Sequence, residues 1–467
     1  MPHSRAAGEV QNADAVSRNA AGRIVAAVSA TLILLLPALW NRFPLLEYDT
    51  GGYLARGFEG TLVPFRSTTY GLFLAAGLPL DFWPNVILQA AVAVWIIALT
   101  MRINSLGGTG VLLVVIAALA VVTALPWLAS ELITDIFAGL AVLALHALIR
   151  HGDRLATVER ITLVAFVAFA ASTHSATYAV LLVLWVAALA VSVINRKLAP
   201  RAGIAQAAAA MALGAAMLLA TNYVVARQVA WTPGAYGIAF ARMLQDGIVT
   251  RYLNDHCPEA RLTLCPYRNE LPTDADDFLW GGSVFDKLGR FEGLGDEMRT
   301  IVLESLRDYP ALQAKAALVA TARQLVAVGT GEGIVTELWH THVIIENYAR
   351  STVPAMRAAR QQNGEIGFAV INVIDVPVAL MCIVLLPVVM LLALWSLEFV
   401  EIGSLATTVA LALLANAAFC GVISNPHDRY GSRMVWIATF TVALAVWRIF
   451  VLARRPRSTR LAAKVLG

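Results

Sequence analysis

Glu47 and Asp49 stand two residues apart in PLLEYDTGGYLARGFEGTLVPFRSTTYGLFL (44–74), where a carboxylate can act as general base or ligate a divalent cation. Gly51 and Gly52 follow, and glycines let backbone come close to a bulky ligand. The plainer reading makes Asp49 the N-cap of GYLARGF. Arg66 and Tyr70, in PFRSTTYGLFLA, could bind phosphate through a guanidinium fork and a phenol, or simply anchor an interface. Glu131 and Asp135, in WLASELITDIFAGL, are four apart, so they share one helix face and suggest a second acidic site. Capping of that helix is the alternative.

Near the other end of the chain, SNPHDRYGSRMVW places His427, Asp428, Arg429 and Tyr430 against an apolar run. Arg429 suits phosphate, with Arg433 four residues on along the same face, and His427 and Asp428 are candidate substrate contacts; the alternative is an ion-paired helix start. His174, in STHSATY, is either a substrate contact in a turn or a packing histidine. Cys257 and Cys265, in CPEARLTLC, lack CxxC spacing; a local disulfide in an oxidising compartment is favoured over a metal pair. No metal ligand set can be named, and a divalent cation, Mg or Mn, is the one cofactor this chemistry could use.

The elements that must position these groups are apolar helices. Of 467 residues 59% are hydrophobic and 14% charged, against about 25% charged in globular chains. This composition, with repeated apolar runs, marks an all-α polytopic integral membrane protein. No basic domain interleaved with aromatics exists, which excludes a nucleic-acid-binding class. Runs at 24–40, 84–101, 110–128, 132–149, 159–172, 176–194, 204–226, 373–396, 402–423 and 431–453 predict about ten spans. Residues 69–80 are too short to cross and read as an interfacial helix in the first outer loop.

The domain plan follows. Residues 1–23 form a disordered cytoplasmic tail, and 24–226 an N-terminal module of about seven spans whose outer loop, 41–83, is the candidate catalytic loop. Residues 227–372 form a mostly helical extracytoplasmic domain, 373–453 a C-terminal module of about three spans, and 454–467 a basic tail. Lys and Arg fall at 5, 18, 23, 102, 150, 154, 160, 196, 197 and 201 and in the tail, which puts both termini in the cytoplasm. Every candidate above then faces the extracytoplasmic side.

The first-loop acid, the Arg-x-x-x-Tyr at Arg66 and Tyr70, the many short-looped spans and the H-D-R-Y before a final helix together resemble the GT-C membrane glycosyltransferases. The likeness is nearest to their protein mannosyltransferase and lipid A aminoarabinose transferase branch. It covers residues 40–80, 129–136 and 424–445, with Glu47-Tyr-Asp49 where the branch has paired Asp-Glu and R-S-T-T-Y where it has R-P-P-x-Y. The resemblance implies a polyprenyl-phosphate sugar donor, an extracytoplasmic lipid, glycan or protein acceptor, and a bacterial-type inner (plasma) membrane. It makes Asp49 the catalytic base, assisted by Glu47, and gives the donor phosphate to Arg66, Tyr70 and Arg429. The rival classes are a transporter or flippase, which needs polar groups at mid-membrane, and a non-catalytic envelope assembly factor.

Overall fold

The computed structural model describes residues 21–454, so Arg5, Arg18 and the basic residues after 454 lie outside the described residues, whereas 21–23, expected in the disordered tail, open the Ala21–Leu34 helix, and Arg454 ends the last one. Within them the chain is helical, and the one β-bridge joins Leu45 to Glu131. Seven helices are long and apolar enough to cross a membrane: Trp83–Ile103, Ile136–Arg154, Ser175–Ile194, Arg201–Ala226, Phe368–Trp395, Leu397–Ile423 and Asp428–Arg454. The 21 residues of Trp83–Ile103 rise about 31 Å, the thickness of a bilayer's hydrocarbon core.

Seven rather than ten meet this length because three predicted runs are broken or short. The 24–40 run divides into Ala21–Leu34 and Leu36–Asn41, with Pro37 opening the second piece. The 110–128 run divides into Thr109–Val122 and Leu125–Ser130, again restarting at a proline, Pro126. Proline has no N–H to continue a helix but fits its first turn. The fifth run makes the 17-residue helix Thr157–Thr173.

Ile136–Arg154 is the most enclosed of the seven, and Phe368–Trp395 the least. Ile136–Arg154 packs against 83–103, 157–173, 201–226 and 428–454, and between spans in lipid such contacts hold through close van der Waals packing and not through removal of surface from water. Helix ends sort into two sets. At one end Arg102 donates to Glu159 (2.7 Å), Arg154 to Glu401 (2.7 Å) and Arg448 to the Asn104 carbonyl (2.5 Å). At the opposite end Ser67 donates to the Ser172 carbonyl (2.7 Å), Thr68 to Asn222 (2.6 Å) and Thr330 to Asp375 (2.7 Å).

The 227–372 region contains two kinds of structure. Residues between Phe240 and Val302 bury their own core, including Phe240, Phe278 and Phe285, and the Cys257–Cys265 disulfide closes its rim. Val328, Leu338, Ile344, Ile345 and Met356 instead belong to the core of the helical bundle. The Pro310–Val326 helix links the two and lies on Val400–Ile423. Residues 68–77 form a helix continued by a 3-10 turn, capped by Ser67, whose hydroxyl accepts from the Tyr70 N–H (3.4 Å). It packs against 83–103, 157–173 and 201–226.

Candidate functional site

The first connection is clamped from three directions. Leu45 pairs with 130–132: its N–H donates to the Ser130 carbonyl and its carbonyl accepts from Leu132, both at 2.9 Å. Gln361 accepts from the Leu46 N–H (3.0 Å) and donates to the Leu46 carbonyl (2.7 Å). Thr341 accepts from the Gly51 N–H at 2.9 Å. A Cβ on Gly51 would lie 2.5 Å from the Thr341 Cα, so this glycine admits the Trp339–Tyr348 helix rather than a ligand. Likewise Gly333, at φ +88°, would place a Cβ 2.3 Å from a Glu47 carboxylate oxygen.

So fixed, Asp49 precedes the short Thr50–Leu54 helix but does not cap it with its side chain. Its carboxylate is salt-bridged to Arg66 through Oδ1 and accepts from Arg429 through Oδ2 at 2.8 Å. Arg429 also donates to Glu47 Oε1 (2.8 Å) and, through Nε, to Asp135 Oδ2 (2.7 Å). Asp135 meets Arg433 at 3.5 Å, and Arg433 donates to His174 Nδ1 (3.3 Å) and to Asn416 Oδ1 (2.7 Å). Arg66, Asp49, Arg429, Asp135 and Arg433 thus form one chain of alternating charge, with Glu47 as a branch. Residues 380 positions apart in sequence are joined by a single guanidinium.

Exposure is graded along the chain. The Arg66, Asp49 and Arg429 side chains keep 20%, 16% and 14% of their surface open. Asp135 and Arg433 keep 1% and 0%. An incoming anion can therefore reach the first three and not the last two. Burial would raise Asp49, but the Arg66 and Arg429 guanidiniums outweigh it and hold the carboxyl below its usual range. Glu47 goes the other way: burial, reinforced by Asp49 and Asp135 and opposed by Arg429, lifts it to about 8. His174 is pulled down to about 3 by burial and by Arg433, consistent with a neutral ring accepting at Nδ1.

Several sequence readings change. Glu131 and Asp135 do not share a helix face: Glu131 is extended, at φ −101° and ψ 143°, and Asp135 begins the next helix. Gln89 holds the Glu131 carbonyl (3.0 Å), while its buried carboxyl makes no hydrogen bond among the described residues. Burial first, then Glu47 and Asp135, push that carboxyl well above its usual range. Tyr70 does not reach the network. It is fully buried, its hydroxyl meets Gln89 (3.4 Å), and its ring edges Tyr53 at 5.1 Å.

His427 and Asp428 face away from Asp49. His427 contacts Glu332 (2.8 Å) and Asp276 (3.3 Å), and Asp428 accepts from the Gly329 N–H (2.9 Å). Burial would depress His427, but those two carboxylates lift it to about 10, so it is a charged clamp between the 240–302 unit and the last helix. Glu332 additionally accepts from the Arg429 N–H at 2.8 Å, aiming the arginine. Cys257 and Cys265 are bonded to each other, on the rim of the 240–302 core.

No family model matches this chain, and neither the curated proteins nor the solved structures contain a match to it.

The sequence reading missed Thr341, Gln361 and Glu332, which hold the first connection and Arg429 in place. Arg433 was visible only as a second basic residue one turn past Arg429; its burial gave no local signal. Among the described residues no group of three or more His, Cys, Asp or Glu is arranged to hold a metal ion. Glu47, Asp49 and Asp135 carry the oxygen ligands that Mg or Mn takes, but they spend them on arginine.

Proposed function

We infer that this chain is a membrane glycosyltransferase that moves a sugar from a polyprenyl-phosphate donor to an acceptor on the extracytoplasmic face. The observation that carries the reading is the meeting of Asp49 with both Arg66 and Arg429 at the accessible edge of a buried charge network. Two arginines beside one carboxylate can bind a phosphodiester and leave a base next to it.

The two sets of helix ends support the membrane placement. Counting Ala21–Asn41, Thr109–Ser130 and Thr157–Thr173 as crossings, the chain alternates between the ends ten times. Arg102, Arg150, Arg154, Arg160, Arg196, Lys197 and Arg201 then gather at the cytoplasmic end. The charge network falls at the other end, within the first turns of the helices that begin at 136, 175 and 428. A transporter would hold such groups at mid-membrane.

The chemistry is one displacement. The acceptor hydroxyl attacks the anomeric carbon, the bond from that carbon to the phosphate oxygen breaks, and Asp49 takes the hydroxyl proton. Arg66 and Arg429 hold the charge that grows on the leaving polyprenyl phosphate. While both arginines bind Asp49 it is a weak base. A donor phosphate that draws their N–H groups removes that stabilisation, so donor binding itself raises the basicity of Asp49. Glu47 and Asp135 keep Arg429 aimed, and no step passes through a cation.

The test uses purified protein in nanodiscs with synthetic polyprenyl-phosphate sugars, following release of free polyprenyl phosphate by mass spectrometry. Asp49→Asn should abolish release while the protein remains inserted and folded. Undiminished release by that variant would end the assignment.

A further inference from the structure

At the end of the bundle opposite Asp49 lies an open cavity of about 380 Å³ lined by Arg102, Ile103, Ser105 and Arg154. The proposed transfer reaction makes no use of it. Arg102 ends the Trp83–Ile103 helix and Arg154 ends the Ile136–Arg154 segment, so the cavity sits between the ends of two spans. The geometry points to a binding site for a phosphate group, of the kind carried by an anionic phospholipid headgroup.

Both guanidiniums are held in place before any ligand arrives. Arg102 donates from one terminal nitrogen to Glu159 (2.7 Å), and Arg154 donates to the Ile103 carbonyl (2.7 Å) and to Glu401 (2.7 Å). Glu159 and Glu401 fix these arginines but do not line the cavity. The remaining N–H groups of two half-exposed arginines therefore face a space without a lining carboxylate, with side-chain exposures of 52% and 44%. The Glu159 oxygen that takes Arg102, Oε2, also accepts from the Ala156 N–H (2.9 Å), which fixes that carboxylate to the start of the next helix.

Ser105 completes the lining. It turns the chain at φ +57°, its N–H donates to the Arg102 carbonyl (2.9 Å), and it lies exposed beside Arg102. Arg448 holds the turn just before Ser105 by donating to the Asn104 carbonyl (2.5 Å). The remaining N–H groups of the two guanidiniums, with Ser105 beside them, match the oxygens of a phosphate group. Basic pockets between helix ends at a membrane surface recognise headgroups of this chemistry.

The experiment takes the full chain in mild detergent, with native mass spectrometry for retained phospholipid. It is followed by reconstitution with phosphatidylglycerol or phosphatidylcholine and by titration with inorganic phosphate. Expected is retention of anionic over zwitterionic lipid, reduced about tenfold in Arg102→Gln/Arg154→Gln. Binding of inorganic phosphate without lipid retention, lost in the same variant, supports the site and assigns it a soluble ligand. Arg154 also holds backbone, so Ser105→Asp provides a variant that leaves both arginine pairs intact and tolerates the positive φ. Ser105→Asp should weaken retention and Ser105→Asn should not. Retention unchanged in Ser105→Asp, or equal retention of both lipids together with no binding of inorganic phosphate in the wild type, would overturn the assignment.

Discussion

Replacing Glu47 by glutamine isolates the most unusual ionisation in the network. Glu47 Oε1 accepts from Arg429 at 2.8 Å and Oε2 accepts from the Asp49 N–H at 2.6 Å. Burial nevertheless lifts the carboxyl from 4.5 to about 8, with Asp49 and Asp135 adding repulsion against Arg429. A group whose folded pKa lies above its unfolded value takes up a proton on folding at any pH between the two. Stability from Glu47 is therefore complete below about 4.5 and is lost as pH rises through about 8. One proton corresponds to a slope of up to about 1.4 kcal/mol per pH unit in that window. A glutamine at this position has no proton to lose and keeps an acceptor for Arg429. The assay is chemical or thermal unfolding of both proteins in one detergent from pH 5 to 9. His427, raised from 6.5 to about 10, also costs the fold stability as pH climbs through that range, but equally in both proteins. The difference curve therefore reports Glu47 alone. Glu47→Gln should gain on the wild type steadily as pH rises from 5 to 8. Parallel curves, or a wild type that gains on the variant, would refute the buried-carboxyl argument.

Two further outcomes test the packing around the site. Arg433→Met removes a fully buried guanidinium and leaves Asp135 with Arg429 alone, which should cost about 3–5 kcal/mol in unfolding measurements; a cost under about 1 kcal/mol would mean that the inner pair is dispensable. Gly51→Ala places a methyl 2.5 Å from the Thr341 Cα, so the 339–348 helix must shift at a cost of about 1–3 kcal/mol. A variant as stable as the wild type would show that this helix is not seated on Gly51.

Helix class and the apolar runs were legible in the sequence because a span needs only length and low polarity, and both are local properties. The acidic first connection and Arg429 could also be picked out locally, since charge is scarce in this chain. Their partners could not. Arg429 draws Glu47, Asp49 and Asp135 from two distant connections, and Thr341 and Gln361 clamp residues 290 and 315 positions away. Spacing misled where the helix itself stopped: Glu131 and Asp135 are four apart, yet Glu131 is extended and bridged to Leu45, and the chain bends and turns before Asp135. Gly51 signalled close approach correctly, but only packing showed that a neighbouring helix makes it. Tyr70 sits one turn past Arg66 in sequence and ends in an aromatic core, because the 68–77 helix turns that face toward Tyr53 and Phe137. Sequence thus determined which segments are helical and which connections carry charge. Tertiary structure decided which charges meet, because a buried charge must find its opposite wherever helix ends bring one within reach.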